Sequence, residues 1–353
     1  MELNGTITEN RVDLGGTITK TRTLSGALAS TGGGGSAVVT RGTGAYSIIS
    51  VNPVDSNTAT GTESIAIGGG NQSTAPGALT IGTNNVASAQ NAVAIGSKLQ
   101  SGDPNTASGP SSVALGLSCE ASGYGAVAMG YQTESSGIGS TSMGRETSAA
   151  NDVALAAGFQ TTASGQMSTA LGYQSTASGS ASVAAGYGAT ASSSGAFASG
   201  RDTTASASCA LAANRETVAE AQMASAFGYK TDATGARSFV VGAFNEPDSN
   251  EVDTTHGNGA RKYAVIIGNG TDDNNRSNAA TLDWDGNAVF AGKATVGAAP
   301  TADMDVATKK YVDDNAVNSK ITAPSSPATG AFLVWNGSAW VAQTLATWQG
   351  GNY

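Results

Sequence analysis

Small and larger apolar residues alternate along this chain in short bursts that return every 14 residues. The burst reads small, apolar, small, apolar, Gly, and it occurs fourteen times. Its final residues are Gly68, Gly82, Gly96, Gly116, Gly130, Gly144, Gly158, Gly172, Gly186, Gly200, Asn214, Gly228, Gly242 and Gly268. Eleven of the thirteen intervals equal 14; the other two, 20 and 26, read as loops of six and twelve residues inserted at a turn without loss of phase.

The register lets columns be read down the chain. Four residues before each anchor stands Ala or Ser, from Ser64 and Ala78 to Ser238 and Ala264, and two before it stands mostly Ala, as at Ala66, Ala94, Ala114 and Ala128. Larger apolar residues occupy the positions three and one before the anchor. Period-two alternation of this kind predicts a strand with two distinct faces. The other half of each unit also alternates, with small residues at Thr161 and Ala163 and polar ones at Gln160 and Thr162, which predicts a second short strand. The anchor supplies a turn where φ > 0 costs Gly little, and Asn214 is the residue type that best tolerates the same region.

Size assigns the faces. Fourteen residues less two turns leave two strands of about five residues, and so narrow a roll closes only if Ala, Ser and Thr fill it. The small columns are therefore expected inside. The larger column then points out along one flank as a strip about 60 to 65 Å long at ~4.8 Å per coil. Its members include Ile65, Ile67, Val93, Ile95, Val113, Leu115, Val127, Met129, Leu155, Leu171 and Val183. A monomer would leave this strip wet, so the pattern predicts self-association, with three copies sharing one axis as the economical solution.

Composition supports repetition over a wide globular core: 48 residues are Gly, only 6% are aromatic and 12% are charged. The net charge of −9, with no Lys/Arg cluster, removes the electrostatic basis for binding nucleic acid or anionic membranes. No stretch reaches 18 apolar residues, so membrane insertion is not expected. Cys119 and Cys209 fall six coils apart, on the order of 30 Å, beyond the reach of an intrachain disulfide. Both are expected to be small buried side chains.

The elements SIAIG, AVAIG, SVALG and AVAMG, spaced by TTASG and STASG, resemble the head repeats of trimeric autotransporter adhesins (the YadA-like head) across about residues 57 to 270. That resemblance implies a left-handed parallel β-roll assembled as a homotrimer. The flanks differ from that family, with neither a secretion signal nor a membrane anchor expected. KYAVIIGNG, RSNAATLDWDGNAVFAGKATVG and DMDVATKKYVDDNAV, within residues 262 to 317, resemble the distal parts of tailed-bacteriophage fibres, as does the ending FLVWNGSAWVAQTLATWQGGNY. This implies a virion fibre of head or tail, made soluble in the host cytoplasm and then assembled on the particle beside other virion structural proteins. A bacterial surface adhesin is the alternative, as is a decorating capsid fibre without a specific ligand.

The expected organisation is an all-β fibre in five segments. Residues 1–56 form a β-rich attachment or capping segment, 57–270 the roll, 271–300 a hairpin collar, 301–320 a short trimerising helix, and 321–353 a Trp-rich β-hairpin module. Asp285-Gly286 and Asn336-Gly337 are strong hairpin signals. A two-residue turn at the second would pair Leu333 with Trp340 and set Trp335 diagonal to it.

Catalysis finds few residues to work with. His256 is the sole His and lies in the 243–267 insertion, which reads as a solvated loop. Glu246, Asp248, Glu251 and Asp253 follow no calcium-loop spacing, and the Gly-rich runs lack the Lys-Ser/Thr of a phosphate cradle. No cofactor, no metal and no enzyme activity are expected; a polysaccharide depolymerase would rest on Asp283, Asp285 and that loop alone. One column does invite a ligand. The residue after each anchor reads Tyr131, Arg145, Phe159, Tyr173, Tyr187, Arg201, Arg215, Tyr229, a ladder whose rings Phe159, Tyr173, Tyr187 and Tyr229, with Trp335 and Trp340 near the C-terminus, form a candidate surface for host polysaccharide.

Overall fold

The computed structural model describes residues 38–51, 56–98, 103–248, 262–293, 332–335 and 340–343. Among these there is no helix, and the repeat region is a β-solenoid of about 13 coils, each contributing one long and one short strand. The expected helix at 301–320 lies outside the described residues.

Long strands run from three residues before the anchor to one after it, as in Val127–Tyr131 and Val183–Tyr187. Successive long strands pair in parallel with every column aligned, Val113 on Val127, Ala114 on Ala128, Gly116 on Gly130. Both insertions leave the phase intact, since Gly96 pairs with Gly116 and Gly242 with Gly268. The second strand is shorter than the five residues expected, two residues in most coils, as in Thr162–Ala163. Corners consume the difference. Besides the anchor, residues two and nine after it hold φ near +50° to +68°, mostly without being Gly: Gln132, Gln160 and Gln174 at the first corner, Val153, Met167 and Cys209 at the second. Such non-Gly residues cost of order 1 kcal/mol each. Hydrogen bonds to the preceding coil hold them there, Gln132 N–H donating to Leu117 O at 2.9 Å and Val153 N–H to Ile138 O at 2.8 Å.

The interior contains the small columns. Ala126, Ala128, Ala156, Ala163, Ala170 and Ala177 are fully buried, as are Ser135 and Thr161. Serines replace alanines in several coils, and the coil of Gly144 has Ser135, Ser140 and Ser142 together, where Ser135 Oγ lies 3.0 Å from Ser140 Oγ and Ser140 Oγ donates to Gly137 O. Near the C-terminal end the inward position two before the anchor enlarges to Val240 and Ile266, both buried, and there the stack closes.

Antiparallel strands finish both ends. Val38–Arg41 pairs with Ile48–Val51, whose Ile48 and Ile49 stack in parallel on Ile65 and Ala66, so the coil stack begins before the first full motif. At the other end Tyr263–Asn269 continues the parallel sheet and pairs antiparallel with Asn278–Asp283, which pairs with Ala288–Phe290. The turn between these last two is closed by Asp283 N–H donating to Asn287 O at 3.0 Å, and within it Gly286, at φ +86°, donates its N–H to Asp283 O at 3.3 Å.

Two further sequence expectations require correction. Trp335 pairs directly with Trp340, and Leu333 with Ala342, so the hairpin has a four-residue connection in place of the two-residue turn. The longer connection lets the β-prone runs FLVW and WVAQ pair along their full length. Cys119 is buried, but Cys209 is exposed. Its register places it nine residues after an anchor, at a corner with φ +55°, which turns it out of the interior.

The anchor column explains its glycines twice over. From Gly68 to Gly242 their φ lies between +107° and +142°, and a Cβ on Gly130 would sit 1.9 Å from the carbonyl oxygen of Gly144. Gly125, at a corner with φ +64°, has nothing within 4 Å of a Cβ. Gly130→Val should thus destabilise by about 3 kcal/mol or more through backbone collision, and Gly125→Ala by only about 1 kcal/mol of left-handed strain. Urea unfolding followed by circular dichroism checks the ordering; equal costs would contradict it.

Candidate functional site

Three stacked systems surround the interior and define what this surface can do. The first is the apolar face of the long-strand sheet. Ile65, Val93, Ile95, Val113, Leu115, Val127, Met129, Leu155 and Val183 are half-buried in the single chain, while Ile67 and Leu171 are exposed at 38% and 37%. Phe227 and Phe239 meet across adjacent coils of this face at 5.6 Å between centroids.

The second is the ladder one residue after the anchors. Phe159 stacks on Tyr173 at 5.1 Å and 15°, and Tyr173 on Tyr187 at 4.7 Å and 4°. Guanidinium groups extend the ladder at both ends. Arg145 lies 5.4 Å from the Tyr131 ring and 5.1 Å from Phe159, Arg201 lies 5.6 Å from Tyr187, and Arg215 lies 4.8 Å from Tyr229. Each arginine is oriented by the acid that follows it: Arg145 Nε donates to Glu146 Oε1 at 2.9 Å, Arg201 to Asp202 at 3.2 Å, Arg215 to Glu216 at 2.9 Å. These exposed pairs contribute little energy and mainly fix direction. A parallel amide ladder runs beside them, Gln160 Nε2 donating to Glu146 Oε2 at 2.7 Å and Gln174 Nε2 to Gln160 Oε1 at 2.9 Å. The Gln160 amide, with Arg145, holds the Glu146 carboxyl below its ordinary value.

The third system, which the sequence pattern did not announce, is a buried asparagine ladder eleven residues before the anchors. Asn85 Nδ2 donates to Asn71 Oδ1, to Ile81 O and to Gly96 O, the carbonyl of the next anchor, all at 2.9 to 3.0 Å. Asn71 makes the equivalent bond to Gly82 O, and Asn105 Nδ2 donates to Asn85 Oδ1 at 3.1 Å. Further along, Cys119 Sγ and Ser175 Oγ take the same role toward Gly130 O and Gly186 O, whereas the buried Thr133, Thr147, Thr161, Thr203, Thr217 and Thr231 hydroxyls have no hydrogen-bond partner among the described residues. Asn at a shared phase, as at Asn71 and Asn85, was the signal that could have found it.

A charged knot fastens the closing hairpin. Arg276 Nη1 donates to Asp232 Oδ2 at 2.9 Å and to the carbonyls of Lys230 and Asn245, Nη2 reaches Asp273 at 3.1 Å, and Lys230 pairs with Asp273. Burial keeps the Asp232 carboxyl above its ordinary value despite Arg276, while Lys230 holds Asp273 below its own. Next to the six-residue insertion, a cavity of about 410 Å³ is lined by Asp103, Glu120 and Glu134 among others. In the second insertion, Asp248 Oδ2 accepts the Tyr263 N–H at 2.8 Å; Glu251, Asp253 and His256 lie outside the described residues. Asp283 accepts N–H bonds from Asp285 and Asn287 and so serves as the organiser of the hairpin turn. Trp335 and Trp340 occupy opposed strand positions.

The YadA head domain repeat matches residues 59–79, 77–98, 121–147, 163–189 and 219–245. No curated protein matches the chain. The matched spans coincide with the coils, and repeats of this kind on a β-solenoid are typical of structural adhesins rather than enzymes. They imply an adhesin-like surface fibre, and such repeats usually form homotrimers.

Two outcomes follow from the ladders. Asn85→Ala strands the Gly96 carbonyl and should cost about 2–3 kcal/mol, while Thr161→Val removes an unpartnered hydroxyl and should be neutral or slightly stabilising. Urea midpoints decide; a Thr161→Val variant as damaged as Asn85→Ala would refute the ladder's role. Glu146, depressed in the folded state, contributes stability above its ordinary pKa that is lost as pH falls through the lower folded value. Carboxyl-carbon NMR titration should find it below an ordinary glutamate, with Gln160→Leu moving it upward.

Proposed function

We propose that this chain is the shaft of a homotrimeric adhesive fibre carried on a phage particle, and that the fibre holds the particle to host or environmental surface polysaccharide. The observation that carries the reading is the largely apolar face of the long-strand sheet on a stack of YadA-type coils. Across thirteen coils that face measures about 60 Å by about 17 Å, roughly 1,000 Å² per subunit; shared between two neighbours, it supplies about 1,000 Å² of total buried surface at each of three interfaces, the size a specific interface needs. Three copies burying it around one axis make a rigid rod. The virion setting is supported by the resemblance of residues 262–317 and of the C-terminal hairpin sequence to phage fibres. The match to repeats named for a bacterial adhesin head favours a second reading, a trimeric adhesin on a bacterial surface.

Native mass spectrometry should give a trimer, and Val127→Asp with Met129→Asp should yield folded or aggregated monomers; a wild-type chain that is stably folded as a monomer would overturn the assembly. Immunogold labelling should decorate phage particles, and particles lacking the protein should adsorb more slowly to cells. Label on bacteria free of phage would favour the second reading, and release of reducing ends from surface polysaccharide would replace adhesion with cleavage.

A further inference from the structure

The ladder of rings and guanidinium groups has two physical uses: a platform for a planar ligand, or a packing surface for another copy of this chain. We infer that it is the seam between subunits, packed against the exposed corner ridge of the neighbouring copy, an assignment that rests on the trimer proposed above.

Symmetry provides the first step. A rotation about the fibre axis moves no residue along that axis. Three long-strand sheets closed into a prism bring the end of each long strand beside the start of the neighbour's, at equal height. The ladder stands at that end. At the start stands the corner eight and nine residues after the preceding anchor.

That corner carries apolar side chains exposed without an internal reason: Tyr124 at 61%, Ile138 at 56%, Val153 at 63%, Met167 at 54% and Met223 at 47%. Val153 and Met167 hold them out from left-handed backbone, φ +56° in both, a conformation unfavourable for such residues. A solvated corner would be served by Gly, Asn or Ser, and Gly77 and Asn91 stand in the same place in coils without the ladder, although Tyr46 is exposed at the corner of the first coil.

The two features occupy the same coils. The ladder runs from Tyr131 to Tyr229, and the large apolar corner residues fall between Tyr124 and Met223, interrupted by Ser180, Ser194 and Ser208. Where the ladder position is small, at Gly69, Thr83 and Ser97, the ridge is polar or Gly. Heights within a coil match as well: Phe159 lies within about 3 Å of the levels of Val153 and Met167, six residues behind and eight ahead in a coil that rises ~4.8 Å. Counted seven residues to either side, Tyr131 comes level with Tyr124 and Ile138, and Arg201 with Ser194 and Ser208. Tyr187 comes level with Ser180 and Ser194, so the match of ring to apolar corner lies at Tyr131 and Phe159.

The axial column gives an independent reason for a seam. One residue before the anchor, Ile67, Ile81 and Ile95 fill the middle of the face in the early coils; among the ladder coils Met129, Met143, Leu171 and Phe227 fill it, while Ala157, Ala185, Ser199 and Ala213 leave it thin. Packing at the edge of the sheet then replaces what these small side chains do not supply at the axis.

Cysteine pairs test this in a Cys209→Ser background, with the buried Cys119 left in place. Phe159→Cys with Met167→Cys, and separately Tyr131→Cys with Ile138→Cys, treated with a short bis-maleimide, should each give a covalent trimer on a denaturing gel. Each single-cysteine variant should remain monomeric there. A native trimer that neither pair links, or that Phe159→Cys links alone, overturns the seam while leaving the trimer standing. A wild-type monomer in native mass spectrometry overturns both.

Discussion

Every side chain in the coils sits one strand spacing, about 4.8 Å, above a side chain of its own column, and that constraint shapes the rest of the molecule. It admits only columns whose members tolerate their own kind. Alanine and serine do so inside because nothing larger fits. Glycine does so at the anchor because a Cβ would collide with the next anchor's carbonyl oxygen, 1.9 Å away at Gly130. Asparagine does so because its amide both donates and accepts, so that Asn71, Asn85 and Asn105 bond in series. Rings and guanidinium groups do so because planar faces stack at 4.7 to 5.6 Å.

A stack of this kind is held by neighbouring coils alone, so its weak points are its ends and its irregular coils. An open end would expose a row of unpaired strand groups to other chains. The hairpin of Val38–Arg41 with Ile48–Val51 covers one end, and the antiparallel run from Tyr263 to Phe290 covers the other. The second cover is riveted, since Arg276 reaches back to Asp232 and to two carbonyls of the last coils. Enlargement of the core to Val240 and Ile266 at this end fills the space that the next coil's alanines would have taken.

Fold class, period, interior columns and the harmlessness of both insertions were legible in the sequence, because each is a statement about repetition. What escaped was conformation without a composition signal. Val153, Met167 and Gln160 carry no mark of left-handed backbone; inter-coil hydrogen bonds place them there, and the short strand loses residues as a result. Cys209 was expected inside by residue type, whereas its column sends it out. The Asn336-Gly337 signal favoured a two-residue turn, but pairing of the full apolar runs set Trp335 against Trp340. Of the candidate surface, the aromatic ladder was readable as a column, while its extension by Arg145, Arg201 and Arg215 into a mixed stack needed distances.

The same stacking rule bears on how a fibre of this type could recognise anything. Side chains buried between subunits cannot also bind a ligand, so assigning the ladder to the seam leaves the short-strand face as the exposed flank of the shaft. That face repeats Thr162, Thr176, Thr190 and Thr204 with serines beside them, a lattice of hydroxyls at strand spacing. Weak interactions repeated in phase add through effective concentration when one long ligand spans many coils, and hardly at all for a single sugar. On the proposed reading, a shaft so built would discriminate by length and repeat of its ligand more than by any one residue, and fine specificity would then fall to segments that do not repeat, such as the strand pair carrying Trp335 and Trp340.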